Sequence, residues 1–461
     1  MKKNYLTIDL GATSGRTILF SVENKTVASR ELTRFDNPIV TMNGHDYWDL
    51  WALYNEILKA LKIVAQEAVQ LESLGIDTWG VDVVPFGADG SPLRNPLCYR
   101  DLQTTGIPEK VFAEIPESEV YAETGIETMN FNTLFQFRAM RDARNSAFTH
   151  AAKWLFMPDA LSYLLCGTMV CERSIASTSM MLNPQTRDWS DKLLKVCGIR
   201  REQLSPLVEP GTVIGELTEE VQKLTGVGPV KVVAVAGHDT ASAVAAIPFE
   251  NEGKAFLSSG TWSLMGLALP QPVINEKSQK YKITNECGTE GTTTFLKNLT
   301  GMWLIESCRR EWRKNGVELL DYQELIKQSE ASNCDALIAT DDARFSNPDS
   351  MIDEIFVAAR EVGVTLDKTS QGDYARVIFR SLAQRYKQIF KLLQEFSDVP
   401  LTTLNIIGGG CRNQYLNKLT EEALGVKVLS GPVECTALGN LKMQIKALND
   451  ECPDLCSDRR I

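Results

Sequence analysis

The sequence predicts an α/β protein with mixed sheets, divided into two domains. Three observations predict it. The chain has 461 residues, more than one hydrophobic core usually spans. Apolar runs of strand length alternate with segments of helical periodicity through both halves. The pattern strand, small-residue hairpin, strand opens the chain and returns near its middle.

Residues 4–8 form a short apolar run that ends in Asp9-Leu10-Gly11-Ala12-Thr13-Ser14-Gly15-Arg16. A second run, 17–22, follows, then the turn Asn24-Lys25, then a third run, 26–33. Together they predict an antiparallel meander opened by a glycine-containing hairpin. Leu50, Leu53, Ile57, Leu61 and Val64 recur at helical spacing and predict a helix over 50–71. Leu74-Gly75-Ile76-Asp77-Thr78-Trp79-Gly80 reads as a strand that ends in a loop. In the second half, 254–258 and 262–269 read as strands around the turn Ser259-Gly260-Thr261. Helices are expected over 302–312, 374–395 and 413–424, and a buried strand over 404–407 followed by Gly408-Gly409-Gly410. The polar connector 247–253 places the domains at 1–247 and 248–461.

Hydrophobic residues are 44% of the chain, charged residues 23%, and the formal net charge is -11. This is the balance of a globular protein, and its acidity disfavours non-specific binding to nucleic acid or anionic lipid. The first ten residues contain no signal-type apolar core, and no stretch approaches the length of a membrane span. The 11 cysteines, an odd number, lie mostly in apolar segments. These features predict a cytoplasmic protein with buried thiols. Cys452 and Cys456 stand close together in the polar tail, where a disulfide or a metal is the less favoured reading. Three histidines make a histidine-built zinc site improbable. His45 and His150 have no motif around them and are expected at the surface.

Several enzyme classes are excluded. The sequence has no phosphate-loop motif G-x-x-x-x-G-K-[ST], no G-x-G-x-x-G after a strand, no G-x-S-x-G and no C-x-x-C. Five segments remain. In Asp9 to Arg16, small residues would let backbone N–H groups approach an anion. Asp9 at the strand end could hold magnesium through water. The same residues would serve equally as a tight polar hairpin. In Gly237-His238-Asp239-Thr240 a strand ends and a helix of small residues begins. Asp239 is there either an N-cap, worth roughly 1 kcal/mol, or a carboxylate positioned to take a proton. Ser259-Gly260-Thr261 is another hairpin, and Asn298 is expected at a helix entry. Gly408-Gly409-Gly410 would let a flat ring lie on bare backbone. Asp77-Thr78-Trp79-Gly80-Val81-Asp82 joins two carboxylates and an indole at a strand end, as a sugar site would. A core tryptophan flanked by solvated aspartates is the alternative.

Taken in order, these segments resemble the FGGY carbohydrate kinases, and most closely the branch that phosphorylates L-rhamnulose. The resemblance runs from Asp9 to about Asn440. It includes Gly288-Thr289-Glu290-Gly291, Leu296-Lys297-Asn298, Asp342-Ala343-Arg344-Phe345-Ser346-Asn347-Pro348, Gly408 to Asn413 and Gly431 to Asn440. It implies two ribonuclease-H/actin-like ATPase domains flanking a central cleft, the first holding the sugar and the base, the second the nucleotide. By the same resemblance Ala12, Thr13, Ser14, Gly15 and Arg16, with Thr261 and Gly410, would meet ATP. Gly80, His238, Thr240 and Asn298 would line the sugar site, and Asp239 would accept the proton. The family reaction moves the γ-phosphate of MgATP to the 1-hydroxyl of L-rhamnulose, within L-rhamnose catabolism. Partners are thus the sugar and ATP, without nucleic acid or membrane, in a monomer or small homo-oligomer. One departure is Glu306, where the pattern leads one to expect glutamine. A carboxylate there is unfavourable beside a nucleotide unless it is turned away, paired or bridged by water. The alternatives are a family member acting on L-fuculose, a pentulose or glycerol, and a non-enzymatic actin-like nucleotide switch.

Overall fold

A computed structural model describes residues 2–249, 253–453 and 455. Residues 250–252 of the expected connector, and Cys456, lie outside the described residues. The strand Lys3–Leu10 is buried without a break from Tyr5 to Leu10, as a strand covered on both faces must be. It pairs antiparallel with Ser14–Glu23 and parallel with Ser73–Thr78. The sheet runs Thr212–Glu216, Lys231–Ala234, Ser73–Thr78, Lys3–Leu10, Ser14–Glu23, Thr26–Asp36. Leu6, Ile8, Leu10, Leu74 and Ile76 share a core with Leu53, Ile57, Leu61 and Val64 of the helix Leu50–Gln66. Each such side chain contributes about 1.5–3 kcal/mol on burial. The Asp49 carboxylate caps this helix by accepting from the Ala52 N–H. The helix stops at Gln66, short of the expected 71, and Ala68 turns left-handed at φ 52°.

A second sheet is built in the same order from other residues. Ala255–Ser259 pairs antiparallel with Trp262–Leu269 and parallel with Thr403–Ile407. Thr293–Thr300 lies beyond Trp262–Leu269, and Lys427–Ser430 beyond Thr403–Ile407. In both six-stranded sheets the first strand lies between its antiparallel hairpin partner and a parallel strand; the hairpin side holds two strands in the first sheet and three, with Thr284–Cys287 at the edge, in the second. The repeat hinted at by the two hairpins is therefore a repeat of topology, with little sequence identity behind it. The long helix Gln371–Gln394 belongs with this sheet; its buried Tyr386 hydroxyl meets Ser263 Oγ at 2.7 Å.

Contacts divide the described chain less simply than into consecutive halves. Among the described residues, one unit takes 2–247, 269–295 and 435–455; the other takes 248–268 and 296–434. The expected division at 1–247 and 248–461 thus gives back two segments to the first unit. The cause is polar as well as apolar. The helix Cys435–Ala447 brings Asn440 and Gln444, both fully buried, onto the first sheet. Asn440 Nδ2 donates to Gly75 O and Asp77 Oδ2, Gln444 Nε2 to Leu6 O, and Ser73 Oγ to Gln444 Oε1. Buried amides that lose such partners cost about 1–3 kcal/mol each. Among the described residues, no helix is long and apolar enough to cross a membrane. The described cysteines are free thiols, most of them buried, with Cys452 exposed.

The same terminal helix packs on Asp239–Ala245 through Gly439. A Cβ at that position would lie 1.7 Å from Ser242 O, and neither helix backbone can yield that distance without moving. Gly439→Ala is expected to destabilise the protein by about 2 kcal/mol or more, the scale of overpacking, read as a lowered midpoint in thermal or urea denaturation.

Candidate active site

The first unit gathers polar groups where its parallel strands end. Asp9 and Asp77 are register neighbours on adjacent strands. Arg16 reaches back along the hairpin and donates through Nε and Nη2 to Asp9 Oδ2, at 3.0 and 2.7 Å. The hairpin itself is closed by the Gly11 N–H donating to Ser14 O. Thr13 is exposed and Ala12, Ser14 and Arg16 half-buried, whereas Gly15 is buried. A Cβ on Gly15 would strike the Phe35 ring at 2.4 Å, so this glycine answers a packing need. Asp77 is fully buried. Burial first, and then the Asp9 charge, push its carboxyl well above the usual range, against the pull of Asn440 at 2.6 Å. Its Oδ1 has no hydrogen-bond partner among the described residues.

The strand Lys231–Ala234 runs on to Gly237, whose carbonyl accepts from the Thr78 N–H at 2.8 Å. The helix that follows is Asp239–Ala245, with His238 as N-cap residue and no side-chain cap bond. Asp239 is therefore the first helical residue and not the cap that its residue type suggests. Its carboxylate is spent on no capping bond; it accepts from Thr240 Oγ1 at 3.2 Å and keeps 34% side-chain exposure. Burial of the segment raises its proton affinity, His238 lowers it, and Asp9 raises it again. His238 is buried between two carboxylates: Nδ1 lies 3.0 Å from Glu286 Oε2 and Nε2 3.4 Å from Asp239 Oδ1. Burial opposes its charge, but Glu286 and Asp239 prevail and lift it to about 9.

Glu172 fixes this segment in place. Its Oε2 accepts from the Gly237 N–H at 2.8 Å, from Ser174 Oγ at 2.6 Å and from the Ile175 N–H at 3.1 Å. Ser174 Oγ in turn accepts from the His238 N–H at 3.2 Å. Neither Glu172 nor Glu286 was legible beforehand. Glu172 caps a five-residue helix, Arg173–Ser177, too short to show a period. Glu286 lies in the four-residue strand Thr284–Cys287, where the only signal was a charge in a short run beside Gly288.

Trp79 is a core residue, 5% exposed, with its ring centroid 4.4 Å from that of Trp48. The flanking aspartates are not solvated: Asp77 and Asp82 are both buried. Asp82 Oδ2 accepts from Trp48 Nε1 (2.6 Å), Trp79 Nε1 (2.9 Å) and the Tyr99 N–H (3.1 Å), and Oδ1 from Gln136 Nε2 (2.9 Å). Burial lifts its carboxyl to about 6 while these donors hold it down. Between them, Val81 stands at φ 70°, with the Asp82 N–H donating across to Gly80 O. A β-branched residue there is strained, and Thr178 Oγ1 and Thr133 Oγ1 hold it at its N–H and C=O. Gly80 faces Thr178, 3.1 Å from where a Cβ would be.

In the second unit, Thr261 is exposed at its hairpin, and the Trp303 N–H donates to its carbonyl. Gly410 lies against Ser259, whose Oγ would be 2.1 Å from an added Cβ, and Gly408 turns left-handed at φ 81°. Thr261 and Gly410 thus border the same turn. Asn298 is not at a helix entry; it lies within the strand Thr293–Thr300, and the next helix, Trp303–Lys314, begins without a side-chain cap. Glu306 is half-buried in the first turn of that helix. Burial raises its proton affinity, and Arg309, Arg310 and Arg313 draw it down. His150 is exposed as expected, but His45 is half-buried and pairs with Asp101 at 3.1 Å.

The sequence matches the FGGY family of carbohydrate kinases, N-terminal domain, over residues 4–246, and the C-terminal domain of that family over 255–448. The chain belongs to the FGGY family of carbohydrate kinases. It is 47% identical over 464 aligned positions to rhamnulokinase from Bacteroides thetaiotaomicron, covering 100% of this chain and 94% of that one. Among solved structures, a gluconate kinase from Lactobacillus acidophilus superposes with TM-score 0.81 at 16% identity, over 99% of this chain and 92% of that one. A ligand-bound xylulose kinase from the same organism gives TM-score 0.81 at 16% identity, over 98% and 91%. At that identity the likeness is one of fold: an FGGY kinase with two actin-like ATPase domains.

Asp82 binds three donors on one oxygen and one on the other, which asparagine cannot match. Asp82→Asn would leave an amide facing the Gln136 amide donor. A loss of about 2 kcal/mol in urea unfolding at pH 7.5 is expected, the cost of an unsatisfied buried donor. An unchanged urea midpoint would contradict this hub.

Proposed function

We propose that this FGGY kinase transfers the γ-phosphate of ATP to the 1-hydroxyl of L-rhamnulose, giving L-rhamnulose 1-phosphate and ADP. The observation that carries the chemistry is Asp239: a carboxylate at a helix start, partly open to solvent, 3.4 Å from the His238 ring. The choice of sugar rests on the 47% identity, over the whole chain, to a protein named rhamnulokinase. Phosphoryl transfer needs little covalent chemistry from the protein, so positioning and charge placement do most of the work. Asp239 orients the sugar hydroxyl and accepts its proton as the new P–O bond forms. His238, Thr240, Gly80 and Asn298 bind the sugar. Backbone N–H groups from Ala12 to Gly15, with Arg16, bind phosphate oxygens, and Thr261 and Gly410 bind the nucleotide.

The residues at Asp9 fit a hydrated magnesium ion better than a fully ligated one. Asp9 lends Oδ2 to Arg16, and among the described residues no group of three or more His, Cys, Asp or Glu side chains is placed to hold a metal. Magnesium typically keeps its waters and takes one or two carboxylates plus phosphate oxygens. When bound, it would neutralise phosphate charge. The acidic surface and the apolar cysteine environments fit a cytoplasmic enzyme.

Asp239→Asn is expected to lower kcat at least about a hundredfold, the low end of general-base effects, with the thermal midpoint near that of the parent. Near-normal turnover would remove Asp239 from the chemistry. ADP release over L-rhamnulose, L-fuculose, D-xylulose and glycerol should be fastest per unit KM with L-rhamnulose. A preference for another sugar would replace the substrate, and sugar-independent turnover would favour a nucleotide switch.

A further inference from the structure

Glu286 has no place in the reaction just described, yet its carboxylate meets the imidazole of His238 at 3.0 Å. Both side chains are close to nine-tenths buried. Among the described residues neither His238 Nδ1 nor Glu286 Oε2 forms an aligned hydrogen bond, even with the other, so their contact is one of charge at 3.0 Å. The strand that carries Glu286 is itself anchored in the first unit, where the Cys287 N–H donates to Ser177 Oγ at 2.9 Å. The other ring nitrogen faces Asp239 at 3.4 Å. A neutral imidazole has one N–H and one lone pair, so it would turn a lone pair on one of these carboxylates. Only the imidazolium sets a positive charge, and no lone pair, against both.

The charged groups around the ring weigh the same way. Glu286 and Asp239 flank it, Glu172 lies behind it on the Gly237 N–H, and Asp9 and Asp77 stand beyond Asp239, with Arg16 held by Asp9.

We propose that Glu286 is a positioning residue for the sugar site: it holds His238 as an imidazolium beside the Asp239 carboxylate. The effect on turnover rests on Asp239 being the base; the charge state of His238 does not. With Glu286 in place, the base keeps a cation beside it that offsets its burial and the nearby Asp9.

The chain has three histidines, so ring 1H–13C NMR of the full-length, histidine-labelled protein can follow each one. One resonance, absent in His238→Gln, should titrate near pH 9. In Glu286→Gln it should move to the ordinary value near 6.5 or below it, while His45 and His150 keep their parent shifts and so report an intact fold. The raised value also sets a stability window. The pair stabilises fully below about pH 6.5, and that stability is lost as pH rises through about 9; Glu286→Gln should flatten this decline in the thermal midpoint. For turnover, Glu286→Gln should lower kcat/KM for the ketose at least about tenfold at pH 7.5, a positioning loss, with its acid limb moved to higher pH. Glu286→Asp should recover part of both. A His238 resonance that titrates at or below 6.5 in the parent, or is unmoved by Glu286→Gln, overturns the proposal even if Asp239→Asn is inactive. Conversely, an active Asp239→Asn with the NMR shifts as expected removes the base and leaves the imidazolium pair standing.

Discussion

The candidate site depends on one buried carboxylate. Glu172 is 1% exposed and gives its oxygens to four donors, two of them backbone N–H groups of its own short helix and one the N–H of Gly237. A buried carboxylate is costly unless such donors satisfy it. Here they do, and the cost becomes a constraint: the chain at Gly237 cannot drift without leaving the charge short of a partner. Glycine suits this close approach, since a Cβ on Gly237 would crowd Glu172 Oε2 and Pro158 Cγ at 3.1 Å each. Where Gly237 is pinned, His238 follows through Ser174, and the direction of the next helix is set.

That pin explains why Asp239 escapes the role its residue type suggests. An aspartate just before a helix normally turns back to bond the N–H groups of the first turn. The helix starts one residue earlier than that pattern requires, with His238 at the boundary, so Asp239 stands inside the first turn and its carboxylate is engaged by Thr240. A helix end left uncapped loses about 1 kcal/mol. Such local losses are expected where function, and not stability, chose the residue. Val81 is a second instance on the same unit, a β-branched residue held at φ 70° by two threonine hydroxyls.

What could be read from the sequence follows from range. The strand Lys3–Leu10, its hairpin and the helix Leu50–Gln66 announce themselves through local periodicity, and so do the ends of the parallel strands where Asp9, Asp77 and Asp239 stand. Trp79 with its two aspartates was ambiguous because alternation cannot tell a ring facing sugar from a ring packed on Trp48. Asn298 reads as a helix entry because a polar residue stands shortly before a helical run, while pairing across the sheet places it in a strand. The return of Cys435–Ala447 to the first unit depends on two amides finding partners more than 360 residues away in sequence. No local pattern records that. Glu172 and Glu286 are harder still, since each acts through one contact made by a segment too short to carry a period.

The buried acids of this unit also explain why a histidine is useful beside Asp239. Asp9, Asp77, Asp239, Glu172 and Glu286 place many carboxyl groups in a small volume. Burial raises the proton affinity of Asp77, Asp239 and Glu172. The structure separates their fates by partner. Glu172 has backbone donors, Asp9 has Arg16, Asp77 has Asn440 and little else, and Asp239 and Glu286 share His238. Asp77, with one oxygen unpartnered and the Asp9 charge alongside, is the group driven furthest toward the protonated form. The two neighbours of Asp239 thus act in opposite senses: the Asp9 charge raises its proton affinity, and His238 lowers it.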